Sequence, residues 1–221
     1  MPDRPIVAII GGTGDLGSGL ALRWAAAGYV VVLGSRTPEK AEAAAADIMA
    51  MSPDARVRGD TNLKAAQAGD IVVIAVPYSN HDAALAEIRD AVQGKIVVDA
   101  AVPLVPPKVS VVQLPNEGSA ARVAQALLGD GVRVTSAFHN VGAKKLRQGG
   151  EVDCDVLVFG DDKAAKAAVI ELANAAGTRG LDGGALANSA AAEALTSVLI
   201  GINRRYKVDG AGIRITGFSA S

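Results

Sequence analysis

Three glycines follow a short apolar run near the start of the chain, with a spacing that is typical of dinucleotide-binding turns. The first suits a tight turn, the second lets backbone amides approach a diphosphate without an intervening Cβ, and the third lets a helix lie close to the strand. The positive end of that helix then faces the anion. A glycine-rich turn that binds nothing is the alternative. The residues expected to contact the cofactor here are Gly12, Thr13, Gly14, Asp15, Leu16 and Gly17.

A second group of polar residues follows the next apolar run. Where proteins that choose NAD have a carboxylate for the ribose hydroxyls, this chain has Ser35 and Arg36. Thr37 is a predicted N-cap and Pro38 a predicted first helical residue, which places Arg36 and Lys40 at the positive end of a helix dipole. A hydroxyl, a guanidinium and an ammonium group suit the 2′-phosphate of NADP(H), which would offset that unfavourable charge. Solvated surface cations are the alternative.

The elements that must position these residues alternate between short β-branched runs and alanine-rich stretches of helical length. The runs are apolar throughout, as in strands that helices cover on both faces, so we expect a doubly wound, Rossmann-type α/β fold with a mostly parallel sheet. Strands are predicted over 6–10, 30–33, 71–76, 96–98, 132–137 and 156–159, with a weak one near residue 57. Helices are predicted over 16–27, 39–51, 81–92, 118–128 and 163–176.

The C-terminal part breaks this alternation. Residues 1–182 are expected to form the NADP-binding domain and residues 183–221 a small helical extension. Its long helix, over 186–204, has no following strand and is expected to pack back over the open end of the sheet. The proline-rich segment 102–115 is predicted to be a connection without regular structure.

Composition excludes several classes of function. Aromatic residues make up only 3% of the chain and the net charge is −1, whereas single-strand nucleic-acid binders use aromatic platforms on a basic surface. The single cysteine, Cys154, allows neither an internal disulfide nor a thiolate pair for zinc, and no metal site is expected. The apolar start is too short for a signal peptide, and no run approaches the roughly 20 residues of a membrane span. We expect a soluble cytoplasmic protein.

Seven segments, in order, resemble the NADPH-dependent reductases of the deazaflavin coenzyme F420. The resemblance covers nearly the whole chain, from residue 6 to about 213, and it implies direct hydride exchange between NADP(H) and F420, an 8-hydroxy-5-deazaflavin. It also implies that Val141 and Ala143 lie near the two rings and that Asn188 and Ser189 help to close the pocket. The segments are GGTGDLGSGLALR, GSRTPEKAE, IVVIAVPY, KIVVDAAVPLV, SAFHNV, DVLVFGDD and LANSAAAEALTSVLIGIN.

The residues that follow three later strands are expected at the carboxyl edge of the sheet, where ligands of doubly wound folds bind. Small apolar walls there suit two flat rings that react by close positioning, with the cofactors carrying the electrons. His139 is the candidate catalytic residue, since a histidine donor can stabilise charge that changes on the deazaflavin; a histidine that only packs is the alternative. The other expected contacts are Val76, Pro77, Tyr78, Val102, Pro103 and Asn140.

Four further features have weaker interpretations. The basic run 143–147 is a candidate receiver for the phosphate and glutamate tail of F420, and a solvated loop is the alternative. Asp161 and Asp162 precede a helix, which favours a structural capping role. His81, at the start of a helix, is given a low weight as a functional residue, and Cys154 is given no role.

The predicted function is hydride transfer between NADP(H) and F420. The alternatives are an NADPH-dependent reductase of a flavin, ferric chelate or imine on the same fold, and a non-catalytic NADP sensor. We expect small-molecule cofactors as the partners, no nucleic acid or membrane, and a homodimer formed through the alanine-rich C-terminal helix.

Overall fold

The computed structural model of the protein describes residues 4–218, so the outermost ends of the two predicted domains, 1–3 and 219–221, lie outside it. Eight strands form one sheet in the order β3-β2-β1-β4-β5-β6-β7-β8. The strands are β1 (Val7–Ile10), β2 (Val30–Ser35), β3 (Arg56–Thr61), β4 (Ile71–Ile74), β5 (Ile96–Asp99), β6 (Arg133–Ser136), β7 (Asp155–Gly160) and β8 (Arg179–Gly184).

Helices connect the strands and cover both faces of the sheet. They are α1 (Asp15–Ala26), α2 (Pro38–Met51), α3 (Asn62–Ala68), α4 (His81–Ile88), α5 (Ala120–Leu128), α6 (Ala143–Leu146), α7 (Lys163–Ala175) and α8 (Ser189–Tyr206). Short 3-10 turns span Tyr78–Asn80, Arg89–Val92 and Leu186–Asn188.

The predicted doubly wound, mostly parallel sheet is confirmed. β1 to β6 run parallel, β7 is antiparallel to β6, and β8 is parallel to β7. The apolar strands are buried on both faces, as in β1, where every residue has no exposed surface. On one face Ile9 and Trp24 belong to a core cluster, and on the other Ile10 and Leu85 belong to a second.

Three elements were not predicted, namely α3, α6 and β8. β8 has the sequence RGLDGG, which lacks a β-branched run. Its glycines are explained by close contacts: a Cβ at Gly180 would lie 2.8 Å from the carbonyl oxygen of Ile170, and one at Gly183 would overlap the ring of Phe159. Because β8 crosses residue 182, the boundary between the two predicted domains stays a prediction.

The C-terminal helix contacts the residues that follow the carboxyl end of β6. The side-chain amide of Asn140 donates to the carbonyl oxygen of Ala192 at 2.9 Å, and the hydroxyl of Thr196 donates to the carbonyl oxygen of His139 at 3.0 Å. Within residues 4–218, α8 and the other helices all fall short of the length and apolarity that a membrane crossing requires.

Candidate cofactor site

The turn between β1 and α1 has the close packing that the glycine spacing predicts. A Cβ at Gly17 would lie 2.7 Å from the carbonyl oxygen of Gly11, and a Cβ at Gly12 would lie 2.8 Å from the side chain of Leu33. Gly14, the N-cap of α1, has no such neighbour, since its Cβ would meet nothing closer than 3.4 Å. The outer face of Gly14 is therefore open for a ligand at the positive end of α1.

A cavity of about 300 Å³ opens beside this turn, at the carboxyl edge of β1, β2 and β4. Its size and position suit one end of a dinucleotide. Of the predicted cofactor residues, the cavity brings together Thr13, Gly14, Ser35, Arg36, Lys40, Val76 and Pro77. It is completed by Gly11, Thr37, Asn62, Ala75, Asn80, Ala83, Ala84 and Glu87.

The end of the cavity beyond β2 is electropositive. Arg36 and Lys40 are exposed at the start of α2, and neither pairs with a carboxylate of residues 4–218. Thr37 is the N-cap of α2 and Pro38 is its first residue, as predicted, although the Thr37 side chain makes no capping bond. Instead the hydroxyl oxygen of Ser35 accepts a hydrogen bond from the Thr37 amide at 3.1 Å. The hydroxyl hydrogen of Ser35 can then donate to an anion between the two cations.

Asn62 and Glu87 line the same cavity and were missed in the sequence. The amide of Asn62 donates to the carboxylate of Glu87 at 3.0 Å, whereas the buried Oδ1 of Asn62 has no hydrogen-bond partner among the described residues. A buried acceptor without a partner is costly, and a donor on a bound nucleotide would satisfy it. The available signal was a polar residue placed directly after β3.

A buried histidine–carboxylate pair lies at the carboxyl end of β5. Nε2 of His81 lies 2.8 Å from Oδ2 of Asp99, and neither side chain has exposed surface. Burial lowers the pKa of His81, but its bonds to Asp99 and Asp82 outweigh burial, so that the pKa is raised. The ring of Tyr78 stacks on His81 with centroids 5.7 Å apart. Asp99 was missed, although an acidic residue that ends a buried strand was a visible signal.

His139 is enclosed beside this pair. Its Nε2 lies 3.0 Å from the hydroxyl of Ser136, and burial lowers its pKa to about 4 against a smaller opposing effect of the Asp99 charge. The imidazole is therefore neutral at physiological pH. His139 does not line the cavity at the positive end of α1, and its catalytic assignment stays a prediction.

The other predicted contacts lie around the same end of the sheet, outside that cavity. Pro103 and Val141 are buried after β5 and β6, while Val102 and Ala143 are half-buried. Ser189 begins α8 with a fully buried hydroxyl that has no partner among the described residues. Asn188 does not line that cavity, and its side-chain amide donates to the carbonyl oxygen of Gly183 at 3.3 Å.

Glu193 on α8 is a further buried acid that the sequence did not reveal. Its carboxylate accepts the amides of Ala120 at 2.6 Å and Ala121 at 3.2 Å, which ties α8 to the first turn of α5. Burial raises the pKa of Glu193 to about 7, against the opposing bond from Ala120. A titratable carboxylate thus holds α8 against α5.

The residues given weaker interpretations have structural partners. Asp162 caps α7 by accepting from the amide of Ala165 at 2.7 Å, and Asp161 accepts from the amide of Leu186 at 3.0 Å, which confirms their structural role. Cys154 is buried, and burial raises the pKa of its thiol.

The sheet order, the glycine turn and the electropositive cavity define a Rossmann-type dinucleotide-binding protein. A family model described as NADP oxidoreductase coenzyme F420-dependent matches residues 6–103. The chain is 42% identical over 218 residues to the F420-dependent NADP reductase of Methanothermobacter thermautotrophicus, covering 95% of this chain and 94% of that protein. It is also 42% identical to the protein of the same name from Methanocaldococcus jannaschii, covering 95% and 97%.

A solved structure of a putative F420-dependent NADP reductase from an Arthrobacter species superposes with a TM-score of 0.79 at 25% identity, covering 96% of this chain and 99% of that one. The chain belongs to the F420-dependent NADP reductase family.

Proposed function

We propose that this protein is an enzyme that transfers a hydride directly between NADP(H) and the deazaflavin coenzyme F420. The observation that carries the proposal is the pairing of the open glycine turn with Ser35, Arg36 and Lys40 around one cavity. Family membership supplies the second ligand, because relatives over nearly the full chain are named for both cofactors.

The fit of the residues to NADP(H) rests on three observations. Gly14 leaves a cradle at the α1 N-terminus that a side chain would narrow. Arg36 and Lys40 are cations at the positive end of α2, where a phosphate dianion removes an electrostatic penalty. Asn62 offers a buried acceptor that lacks a donor. Together they account for the diphosphate, the 2′-phosphate and a polar group of the adenosine.

At the end of the site away from Arg36, residues of the protein act by positioning the two reacting rings and by excluding water. When bound, the reduced nicotinamide supplies the hydride. Pro77 and Tyr78 continue from the cavity towards the end of β5, where Tyr78 is backed by the buried His81–Asp99 pair. Asn140 fixes α8 through Ala192, so the helix covers this end of the sheet. A covered site of this kind gives close approach of two rings and protects the hydride donor.

One assay separates this function from its alternatives. NADPH and oxidised F420 are mixed with the protein, and the visible absorption of F420 is followed. We expect the absorption to bleach with one NADPH oxidised per F420 reduced. Bleaching of a flavin but not of F420 would favour a different NADPH reductase, and tight NADPH binding without reduction of any acceptor would favour a sensor.

We also propose a homodimer, a cytoplasmic location and the functional division at residue 182. Exposed apolar side chains support the dimer: Val111 and Val112 in the connection and Val198 on α8 are 44–54% exposed, and Ser197 donates to the Val111 carbonyl beside them. Light scattering after size exclusion should give twice the chain mass for the parent and a smaller mass for Val198→Asp. A monomeric parent would reject the dimer.

A further inference from the structure

The short helix α6 is fixed on α1 by one arginine. Arg23 of α1 donates to three backbone carbonyls of the α6 segment, at 2.6 Å to Leu146, at 3.1 Å to Lys145, and also to Gly150. The side chain of Leu146 is fully buried, and a Cβ at Gly19 would come 3.0 Å from its Cβ. α6 therefore has a defined position against α1.

This anchoring places the guanidinium of Arg147 beside the cofactor turn. Arg147 donates to the hydroxyl of Ser18, and that hydroxyl donates to the carbonyl oxygen of Gly14 at 2.7 Å. Gly14 is the N-cap of α1 and lines the cavity. The hydroxyl of Ser18 thus links the guanidinium to the N-cap of α1, where the diphosphate is predicted.

The charge of Arg147 is unbalanced at this position. Within residues 4–218 it forms no ion pair with a carboxylate, and its hydroxyl partner is neutral. Arg147 follows α6, and its guanidinium lies beside the first turn of α1, where a cation opposes the dipole of α1 and a bound anion reverses this effect. Lys144, in the same segment, differs in that it pairs with Asp209 at 3.6 Å.

The geometry points to Arg147 as a binding residue for a phosphate group of a bound cofactor. A guanidinium with four further N–H donors suits the oxygens of a phosphodiester or diphosphate. Two sources carry this chemistry, namely the diphosphate of the dinucleotide and the phosphate in the tail of the deazaflavin. The second source rests on the proposed function, whereas the first requires only dinucleotide binding.

The test compares the parent with Arg147→Ala and Arg147→Lys. Dissociation constants are measured by fluorescence titration for NADPH, for F420, and for the 8-hydroxy-5-deazariboflavin that has the same ring system but no phosphate. Arg133→Ala is the matched control, because Arg133 is also exposed and its side chain bonds only the Gly94 carbonyl, at the opposite edge of the sheet. Thermal unfolding checks that each variant folds.

We expect Arg147→Ala to weaken binding of one phosphate-bearing cofactor at least about tenfold, as loss of a charge-assisted bond requires. Arg147→Lys should recover part of the loss, and the phosphate-free deazaflavin should bind all variants within about twofold. Weaker F420 binding identifies the tail, and weaker NADPH binding identifies the diphosphate. If Arg147→Ala binds all three ligands like the parent, the inference is wrong. If the parent binds NADPH but neither deazaflavin, the proposed function fails. In that case an NADPH affinity of Arg147→Ala equal to that of the parent rejects the Arg147 site separately.

Discussion

Replacing Arg36 with alanine tests the assignment of the 2′-phosphate site. Arg36 lies at the start of α2 without a carboxylate partner among residues 4–218, so its removal breaks no ion pair there. A charge-assisted hydrogen bond contributes roughly 1.5 to 3 kcal/mol, which corresponds to about 10- to 150-fold in affinity. We therefore expect the dissociation constant of NADPH to rise by about that factor. The constant of NADH, which has no 2′-phosphate, should change by less than about threefold.

The assay is a fluorescence titration of both dinucleotides with the parent and each variant. Ser35→Ala and Lys40→Ala should reduce the preference for NADPH in the same direction, because both side chains line the same end of the cavity. Lys64→Ala is the matched control: Lys64 is also an exposed lysine in the first turn of a helix, but it pairs with Asp60 at 3.7 Å. Its loss should leave both affinities unchanged.

Two results would refute the reasoning. The first is equal affinity of the parent for NADPH and NADH, since the cations would then be ordinary surface charges. The second is an Arg36→Ala variant that keeps the full preference for NADPH. Thermal unfolding without ligand serves as an internal check, because removal of a cation from the start of α2 is expected to leave stability unchanged or slightly increased.

The remaining predictions concern the buried titratable groups. His139→Ala should lower turnover while the NADPH dissociation constant is retained, and unchanged turnover would remove His139 from the catalytic site. The pKa of Glu193 is raised from 4.5 to about 7, so its stabilising effect is present below pH 4.5 and is lost as the pH rises towards 7. The pKa of His139 is lowered from 6.5 to about 4, so its effect is present above pH 6.5 and is lost as the pH falls towards 4. In urea unfolding across this range, Glu193→Gln should become less stable relative to the parent towards acid, and His139→Asn should become less stable relative to the parent towards neutral pH, by up to about 1.4 kcal/mol per pH unit; parallel pH profiles for parent and variants would contradict this.

The sequence predicted the parts of the fold that depend on local pattern. β-branched runs identified the strands from β1 to β7, and alanine-rich stretches identified six of the eight helices. The glycine spacing predicted the turn because Gly12 and Gly17 each have a local steric reason, as the close approach of Gly17 to the Gly11 carbonyl illustrates. The polar residues that follow β2 predicted the electropositive end of the cavity. This prediction was possible because the carboxyl ends of parallel strands share one edge of the sheet.

The parts that were missed depend on contacts between distant residues. β8 is a strand because it pairs with β7, and its glycines fit against α7 and Phe159 rather than following a strand pattern. The bond from Asn62 to Glu87 joins residues 25 positions apart, and the bond from Ala120 to Glu193 joins residues 73 apart. The hydrophobic periodicity of the sequence contains no information about which distant residues form such pairs. A known order of strands in the sheet does contain it.

The protonation state of His139 limits what this residue can contribute to hydride transfer. The charge of Asp99 favours a proton on His139, but its Oδ2 is already bonded to His81 and its Oδ1 accepts the amide of Ala101 at 2.9 Å. With a pKa of about 4, His139 is neutral at pH 7, so the imidazole cannot serve as a ready proton source. A neutral imidazole can still orient a ligand or a backbone segment through one N–H. If His139→Ala lowers turnover, the rate should therefore fall by a similar factor across the neutral pH range, because no titration of His139 occurs there.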